Sequence, residues 1–352
     1  MPSKHIFLTV KEIIQETPTC KTFVFWQPPH QSVSYKAGQF LTVLANINGQ
    51  THRRSYSMSS SPHKDASLAI TVKAIEGGLV SDFLVENLKV GDALEVIEPA
   101  GNFVLEPNPS LEREIVMIAG GSGITPLMSM IKSVLHIEQN SKVSLIYGSK
   151  NEENIIFSNQ LTALENQYPN RFQVLHVLSQ PSYTWVGYKT RINQASMVIF
   201  LKQNLQINIA KASYYLCGPS GMMEQAKAAL NLFDVPSNQI HQEYFTNAST
   251  TQEEKLPNNT METQIVELRY EGDIYHIAVK PSETILEAAL NADIDLPYSC
   301  QAGMCTACMA KVKSGTVKMD EEDGLTEKEI KDGYILTCVA HPTSAGVVLD
   351  VD

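Results

Sequence analysis

The chain has 352 residues, 43% of them hydrophobic and 18% charged, which is enough for two or three domains with a sizeable core. Its formal charge is −11, and it is unevenly spread: residues 262–352 hold 7 basic and 17 acidic side chains, a balance of −10, against 20 and 21 in residues 1–261, a balance of −1. Global disorder, a collagen-like repeat and a disulfide mini-scaffold are excluded, and an acidic last quarter argues against nucleic-acid binding, which needs clustered Lys and Arg.

Up to about residue 105 the pattern is strand-rich. His5–Glu12, Thr22–Gln27, Phe40–Ile47, Ser55–Ser59, Leu68–Ala74 and Ala93–Glu98 are short, alternating or β-branched, and separated by turn residues. Six such strands predict an antiparallel β-barrel. Two motifs stand in this part. Arg54-Ser55-Tyr56-Ser57 offers a guanidinium suited to a phosphate, a ring suited to stacking and two hydroxyls. Gly77-Gly78-Leu79-Val80-Ser81 follows a strand and opens a predicted helix over Ser81–Asn87. Taken singly, the first is better read as ordinary strand chemistry, and the second equally well as a tight turn.

From Arg113 the period changes. Ile115-Val116-Met117-Ile118-Ala119 is a continuous apolar run, as in a buried parallel strand. Gly120-Gly121-Ser122-Gly123-Ile124-Thr125-Pro126 follows, and a helix is predicted with Thr125 as its N-cap and Pro126 at its first position. Glycines there let a phosphate approach backbone N–H groups at a helix N-terminus. The motif is not G-x-G-x-x-G, and an acidic ribose ligand about 20 residues on is missing. Strands Val143–Gly148, Phe172–Ser179 and Tyr214–Cys217 alternate with helices near Ser158–Gln167, Gln194–Asn204 and Ser220–Phe233. This alternation predicts a parallel α/β sheet. Cys217-Gly218-Pro219 ends one of its strands, where such sheets bind ligands; a buried inert thiol is the other reading. Ile115–Ile131 is the longest uncharged run and is broken by Gly120, Gly121, Gly123 and Pro126. The initial apolar run is too short for a signal-peptide core. No membrane span is predicted, and a cytoplasmic protein is expected.

Thr246–Met261 is polar and aperiodic and reads as a linker. Beyond it, Gln264–Tyr270 and Ile274–Val279 predict a hairpin and Thr284–Ala292 a helix, giving a small mixed α+β domain. Four of the six cysteines fall here: Cys300, Cys305, Cys308 and Cys338, spaced C-x4-C-x2-C and then 29 residues to the fourth. That is the plant-type [2Fe–2S] spacing, not the paired C-x2-C of a zinc ribbon. Disulfides are disfavoured without a secretion signal. Cys20 and Cys217 remain, and Cys20 reads as core.

The motifs are informative in their order: R-x-Y-S and G-G-x-x-S in a barrel, then G-G-x-G-x-T-P and C-G-P in an α/β domain. This order resembles the ferredoxin–NADP⁺ reductase superfamily, and the appended cysteine domain makes the whole chain similar to flavin/iron–sulfur oxygenase reductases. The stretches VKAIEGG, LIYGS, CGP and LPYSC…C..C are similar to the phenylacetyl-CoA epoxidase reductases within that group. The resemblance implies an antiparallel FAD barrel over 1–107, an NAD(P)-binding parallel α/β domain over 108–245, a linker over 246–261 and a β-grasp [2Fe–2S] ferredoxin domain over 262–352.

It also implies roles by residue. Arg54 would bind the FAD pyrophosphate, Tyr56 pack on the flavin ring, and Ser57 lie near its reactive nitrogen, with Ser55 beside them. Val72 and Lys73 would run along the flavin, and Gly77, Gly78, Leu79, Val80 and Ser81 form the second phosphate loop. Gly120, Gly121, Gly123, Thr125 and Pro126 would cradle the nicotinamide nucleotide, with Cys217, Gly218 and Pro219 on the nicotinamide side. Tyr56, Ser57 and Cys217 are the catalytic candidates. In Glu243-Tyr244-Phe245, Phe245 is a candidate flavin cover, with core packing as the alternative. The strand end Tyr147-Gly148-Ser149-Lys150 offers a hydroxyl and a cation to a 2′-phosphate, favouring NADPH over NADH. Electrons would pass from NAD(P)H through FAD and the cluster to a partner oxygenase docking near the acidic ferredoxin domain, with Asp320-Glu321-Glu322-Asp323 as candidate contacts. The most favoured partner is the phenylacetyl-CoA epoxidase. Another hydroxylase, a desaturase or a hybrid-cluster protein is the alternative, and a redox-sensing electron-storage module is the alternative of another class.

Overall fold

The computed structural model describes residues 5–26, 33–75, 77–205, 207–245, 263–281, 283–294, 296–298, 303, 306–320 and 325–351. The chain divides into two compact units, one ending at Phe245 and the other following it. The first unit holds two lobes.

The first lobe is built from β1 (His5–Thr17), β2 (Cys20–Trp26), β3 (Phe40–Ile47), β4 (Gln50–Ser57), β5 (Ala69–Lys73), α1 (Leu79–Asn87) and β6 (Ala93–Ala100). The strands form one antiparallel sheet in the order β4-β3-β6-β1-β2-β5. A bridge between Met58 and Ile70 joins its two edges. The sheet therefore curls into the predicted barrel. Alternate residues such as Leu8, Phe23, Val43, Ile70 and Val72 fill the interior. The helix starts two residues earlier than the sequence predicts, because Gly78 occupies its N-cap.

The second lobe runs β7 (Glu114–Gly120), α2 (Ile124–Ile137), β8 (Lys142–Ser149), α3 (Ser158–Gln167), β9 (Phe172–Leu178), β10 (Tyr188–Lys189), α4 (Gln194–Ile199), β11 (Ser213–Gly218), α5 (Ser220–Asn231) and β12 (Ile240–Tyr244). All its strands pair in parallel, in the order β10-β9-β8-β7-β11-β12. From β7 the chain moves to β8 on one side and later returns to β11 on the other. The crevice beyond the ends of β7 and β11 is therefore a topological switch point, the usual ligand position in such sheets.

Helix α2 is buried along almost its whole length. One side packs on the sheet through Leu127, Ile131 and Val134. The other meets the barrel through hydroxyls: Ser129 Oγ donates to Ser60 O at 2.5 Å, Ser133 Oγ lies 2.8 Å from Ser61 Oγ, and Lys132 pairs with Asp65 at 3.0 Å. Cys20 is fully buried at this contact, as the sequence predicts. The start of α2 differs from the predicted cap at Thr125. Gly121–Gly123 wind a 3₁₀ turn directly into α2, so Gly123 is the N-cap and Ile124 the first helical residue. Thr125 and Pro126 lie inside the first turn, where no intrahelical N–H is required. The predicted helix over Gln194–Asn204 ends as α-helix at Ile199 and finishes in a π turn over Phe200–Asn204.

The second unit holds β13 (Gln264–Tyr270), β14 (Asp273–Val279), α6 (Ile285–Asn291), β15 (Met309–Ser314), β16 (Val317–Met319), α7 (Glu327–Lys331), β17 (Tyr334–Leu336), β18 (Ala340–Pro342) and β19 (Val347–Asp350). A five-stranded mixed sheet in the order β14-β13-β19-β15-β17 carries α6. The helix is started by a capping box between Thr284 and Glu287. This is the predicted β-grasp arrangement. The predicted linker, 246–261, lies outside the described residues. Among the described residues no helix is long and apolar enough to cross a membrane.

Candidate functional site

Strand β4 presents the first motif. Arg54 and Tyr56 stand two residues apart and share one face of the pleat; Ser55 and Ser57 take the other. Arg54 is half-buried, and its Nη1 donates to Arg53 O at 2.7 Å. Burial pushes the Tyr56 phenol up; Arg54 opposes this and Asp82, in the first turn of α1, adds to it. Tyr56 is therefore a neutral, half-sheltered ring beside a fixed cation. Ser57 is buried, and its Oγ donates to Glu243 Oε2 at 3.5 Å.

The second glycine loop is closed by its own serine. Ser81 Oγ donates to Gly78 O at 3.1 Å and accepts from Ile75 N at 3.2 Å. A Cβ on Gly78 would stand 2.4 Å from that hydroxyl. Val80 is buried and Leu79 is exposed, while Gly77 faces open space. What the loop offers an anion is its backbone N–H groups and the start of α1. Val72 is inside the barrel. The Lys73 side chain instead leaves β5 for the second lobe: its Nζ lies 3.8 Å from where a Cβ on Gly121 would sit.

The glycine loop after β7 meets the C-G-P segment backbone to backbone. A Cβ on Gly123 would be 2.1 Å from Cys217 O, and one on Gly120 would be 2.6 Å from Pro219 Cδ. Gly120 ends β7, Gly218 ends β11 and Pro219 caps α5. Thr125 Oγ1 donates back to Ser122 O at 3.0 Å. Cys217 is fully buried; burial first, and Glu243 second, push its thiol up, so it remains a protonated thiol. Glu243 sits directly beside Cys217 in the β11–β12 register and also reaches Ser57. Residues from both lobes thus converge: Ser57, Cys217, Glu243 and, at Gly121, Lys73. Neither Glu243 nor the direction of Lys73 is evident from sequence. The one available signal is the Glu243-Tyr244-Phe245 stretch, which carries Glu243 two residues before the candidate Phe245.

Other predicted residues fall further out. Ser149 is buried at the end of β8 and Lys150 is exposed just beyond it. Of the hydroxyls in that strand, the one on Tyr147 is engaged inside the fold: the ring is buried, and its OH donates to Gly121 O at 3.1 Å. Phe245 lies one residue past β12 and is 40% exposed, so it is not a core residue.

In the second unit, Cys308 and Cys338 are both buried. Thr337 donates to Cys308 O through its N (3.0 Å) and its Oγ1 (3.1 Å), tying the two cysteine segments together. Gly303 N–H points at Cys338 Sγ, 3.4 Å away. An N–H aimed at sulfur in a pinned loop suits a thiolate ligand of an iron–sulfur cluster. Cys300 and Cys305, the other two expected ligands, lie outside the described residues, as do Glu321, Glu322 and Asp323. Asp320 Oδ2 accepts from His341 Nε2 at 2.9 Å.

Three family models match in the order of these regions: an oxidoreductase FAD-binding domain over 7–105, an oxidoreductase NAD-binding domain over 117–228 and a 2Fe-2S iron-sulfur cluster binding domain over 268–343. The chain is 34% identical to a component of the 1,2-phenylacetyl-CoA epoxidase of Escherichia coli K12, over 98% of this chain and 97% of that protein. It is 31% identical to the ferredoxin reductase component of 3-ketosteroid-9-alpha-monooxygenase from Rhodococcus rhodochrous, over 97% and 95%. The solved structure of phthalate dioxygenase reductase covers 98% of both chains with a TM-score of 0.62 at 24% identity, a likeness of fold. The chain belongs to the flavin/iron–sulfur oxygenase reductases of the ferredoxin–NADP⁺ reductase superfamily. It is an NAD(P)H-dependent oxidoreductase with FAD and a [2Fe–2S] cluster as cofactors. Bound FAD supplies conversion between two-electron and one-electron transfer, and the cluster a one-electron outlet.

Proposed function

We propose that this chain carries electrons from NADPH to the oxygenase component of a phenylacetyl-CoA epoxidase. The full-length match to the epoxidase component from Escherichia coli carries this reading. The nearly equal match to the ketosteroid monooxygenase component supports a second reading, in which the partner is a different hydroxylase. The preference for NADPH rests on exposed Lys150 beyond β8, which has no ion pair among the described residues, and on Ser149 beside it.

In this reading Arg54 holds the FAD pyrophosphate, Tyr56 shelters the flavin ring, and the loop 77–81 and Ser55 complete the flavin site. Gly120, Gly121, Gly123, Thr125 and Pro126 hold the nucleotide. Ser57 lies near the reactive nitrogen of the flavin, Val72 and Lys73 run along it, Cys217, Gly218 and Pro219 line the nicotinamide side, and Phe245 covers the flavin. Cys300, Cys305, Cys308 and Cys338 hold the cluster. The domains run 1–107, 108–245 and 262–352 around a linker over 246–261. The oxygenase docks near the acidic ferredoxin domain, with Asp320 among its contacts.

Reconstitution tests the partner. With a purified phenylacetyl-CoA epoxidase oxygenase component, NADPH-driven epoxide formation is expected. Coupling only with a steroid or other hydroxylase refutes the assignment. NADPH is expected to exceed NADH in kcat/KM, and Lys150→Ala to narrow that ratio about ten-fold, the size of one lost charge-assisted contact. A ratio of one in the wild type refutes the nucleotide preference.

A further inference from the structure

Tyr147 is the largest fully buried side chain in the second lobe whose polar end is spent on the nucleotide loop. It stands on β8, one strand away from the loop it touches. Its OH donates to Gly121 O at 3.1 Å. The same carbonyl also accepts the Ile124 N–H that starts α2. Both lone pairs of Gly121 O are therefore engaged, one by the helix and one by the neighbouring strand.

This fixes a peptide plane. In a trans peptide the C=O and the following N–H point in opposite directions, and the described chain has no cis peptide. With Gly121 O held by the Ile124 N–H and the Tyr147 OH, the Ser122 N–H of the same peptide points the opposite way, back from the start of α2. Gly121 reaches this arrangement with φ +53, in the left-handed region that costs an ordinary residue about 1–2 kcal/mol. A loop held this way presents its N–H groups without first having to order them, which is where binding affinity is usually lost. Burial also pushes the Tyr147 phenol up, so it stays a neutral donor.

We propose that Tyr147 is a positioning residue for NAD(P)H: its hydroxyl bolts the Gly121 carbonyl in place and so aims the nucleotide loop at the phosphates. The residue touches no substrate and acts through Gly121. The inference rests on the reductase reading and adds a residue to it.

The test uses the full-length holoprotein, wild type and Tyr147→Phe. Each is titrated calorimetrically with NADP⁺ and NAD⁺ and assayed for NAD(P)H-dependent reduction of ferricyanide, which needs no protein partner. The Kd for oxidised nucleotide and the KM for reduced nucleotide are each expected to rise about ten-fold, the scale of one buried hydrogen bond. The kcat should stay within about two-fold, since the reacting groups are untouched. FAD and iron–sulfur absorbance per chain should not change. Replacing Tyr147 by 3-fluorotyrosine, which keeps the hydroxyl, is expected to retain wild-type affinity. Unchanged Kd and KM in Tyr147→Phe would overturn the proposal. So would a loss that 3-fluorotyrosine shares, which would mark a packing role. If Tyr147→Phe does not retain FAD, 4-fluorophenylalanine at position 147 decides: it fills the hydroxyl's space without an O–H donor, and wild-type affinity there overturns the proposal. A wild type that binds neither nucleotide would instead remove the reductase reading on which it rests.

Discussion

Replacing Gly123 by alanine isolates one physical cause. Gly123 has φ −60, a conformation any residue adopts, so the substitution brings no backbone strain. It brings a collision. The new Cβ would lie 2.1 Å from Cys217 O, 2.4 Å from Cys217 C and 2.7 Å from Gly218 N, where ordinary contact begins at 3.4 Å. The β7 and β11 loops must part by about 1.3 Å, the difference between 3.4 and 2.1 Å. Overpacking of this kind costs about 1–3 kcal/mol of stability. A displacement of about 1 Å in a reacting geometry costs on the order of 100-fold in rate. The expected result is a fall of about 100-fold in kcat/KM for NAD(P)H-dependent ferricyanide reduction, with flavin and cluster spectra intact. Gly221→Ala is the control: nothing lies within 4 Å of its Cβ position, in the first turn of α5, so activity should be unchanged. Gly121→Ala separates strain from collision, since its nearest neighbour is Lys73 Nζ at 3.8 Å while its φ is +53. It should cost about 1–2 kcal/mol through backbone conformation alone. Wild-type kinetics in Gly123→Ala would refute the claim that close approach of these two loops shapes the nucleotide site.

Three further outcomes are expected. Cys308→Ser and Cys338→Ser should each abolish the [2Fe–2S] absorbance while leaving FAD and ferricyanide reduction in place; a retained cluster signal would count against these ligands. Arg113→Ala should lower the thermal midpoint of the first unit. Arg113 binds fully buried Glu138 through Nε (3.1 Å) and Nη2 (2.6 Å), and a buried carboxylate stripped of its partner costs about 3–5 kcal/mol. At about 2–4 °C per kcal/mol, calorimetry should record a fall of roughly 6–20 °C. Burial holds His176 and His241 below the usual histidine range, with Arg113 a lesser cause at His241. The unfolded chain then binds more protons than the folded one between those lowered values and about 6.5, so stability rises with pH across that window. The midpoint should therefore fall as pH drops from about 7 through 6, and His176→Leu should flatten the slope; a midpoint insensitive to pH there would contradict it.

Much of the fold is legible because it is written in periodicity. Helix α3 and strands β3 and β13 start and end where the sequence places them, and the two strands each run into a tight turn, at Asn48-Gly49 and Glu271-Gly272. Short elements such as β10, β16 and β18, with two or three residues, carry too few side chains to show a period. The start of α2 differs from expectation because Thr125-Pro126 is a strong local cap signal, while the 3₁₀ turn over Gly121–Gly123, closed locally by the Ile124 N–H, is also held by a tertiary hydrogen bond from Tyr147. The site divides in the same way. Arg54, Tyr56 and the glycine loops are visible as motifs. Glu243 joins them only through the parallel register of β11 and β12, and Lys73 only because one lobe lies against the other. The Ser60-Ser61 contact with Ser129 and Ser133 leaves no periodic trace, since serines on a buried helix face break the apolar pattern rather than extend it.

The most direct measurement is an anaerobic absorbance titration of the purified protein with NADPH and, separately, with NADH. Flavin bleaching followed by loss of cluster absorbance is expected, faster with NADPH. A protein lacking flavin or cluster absorbance, or one whose flavin neither nucleotide reduces, would contradict it.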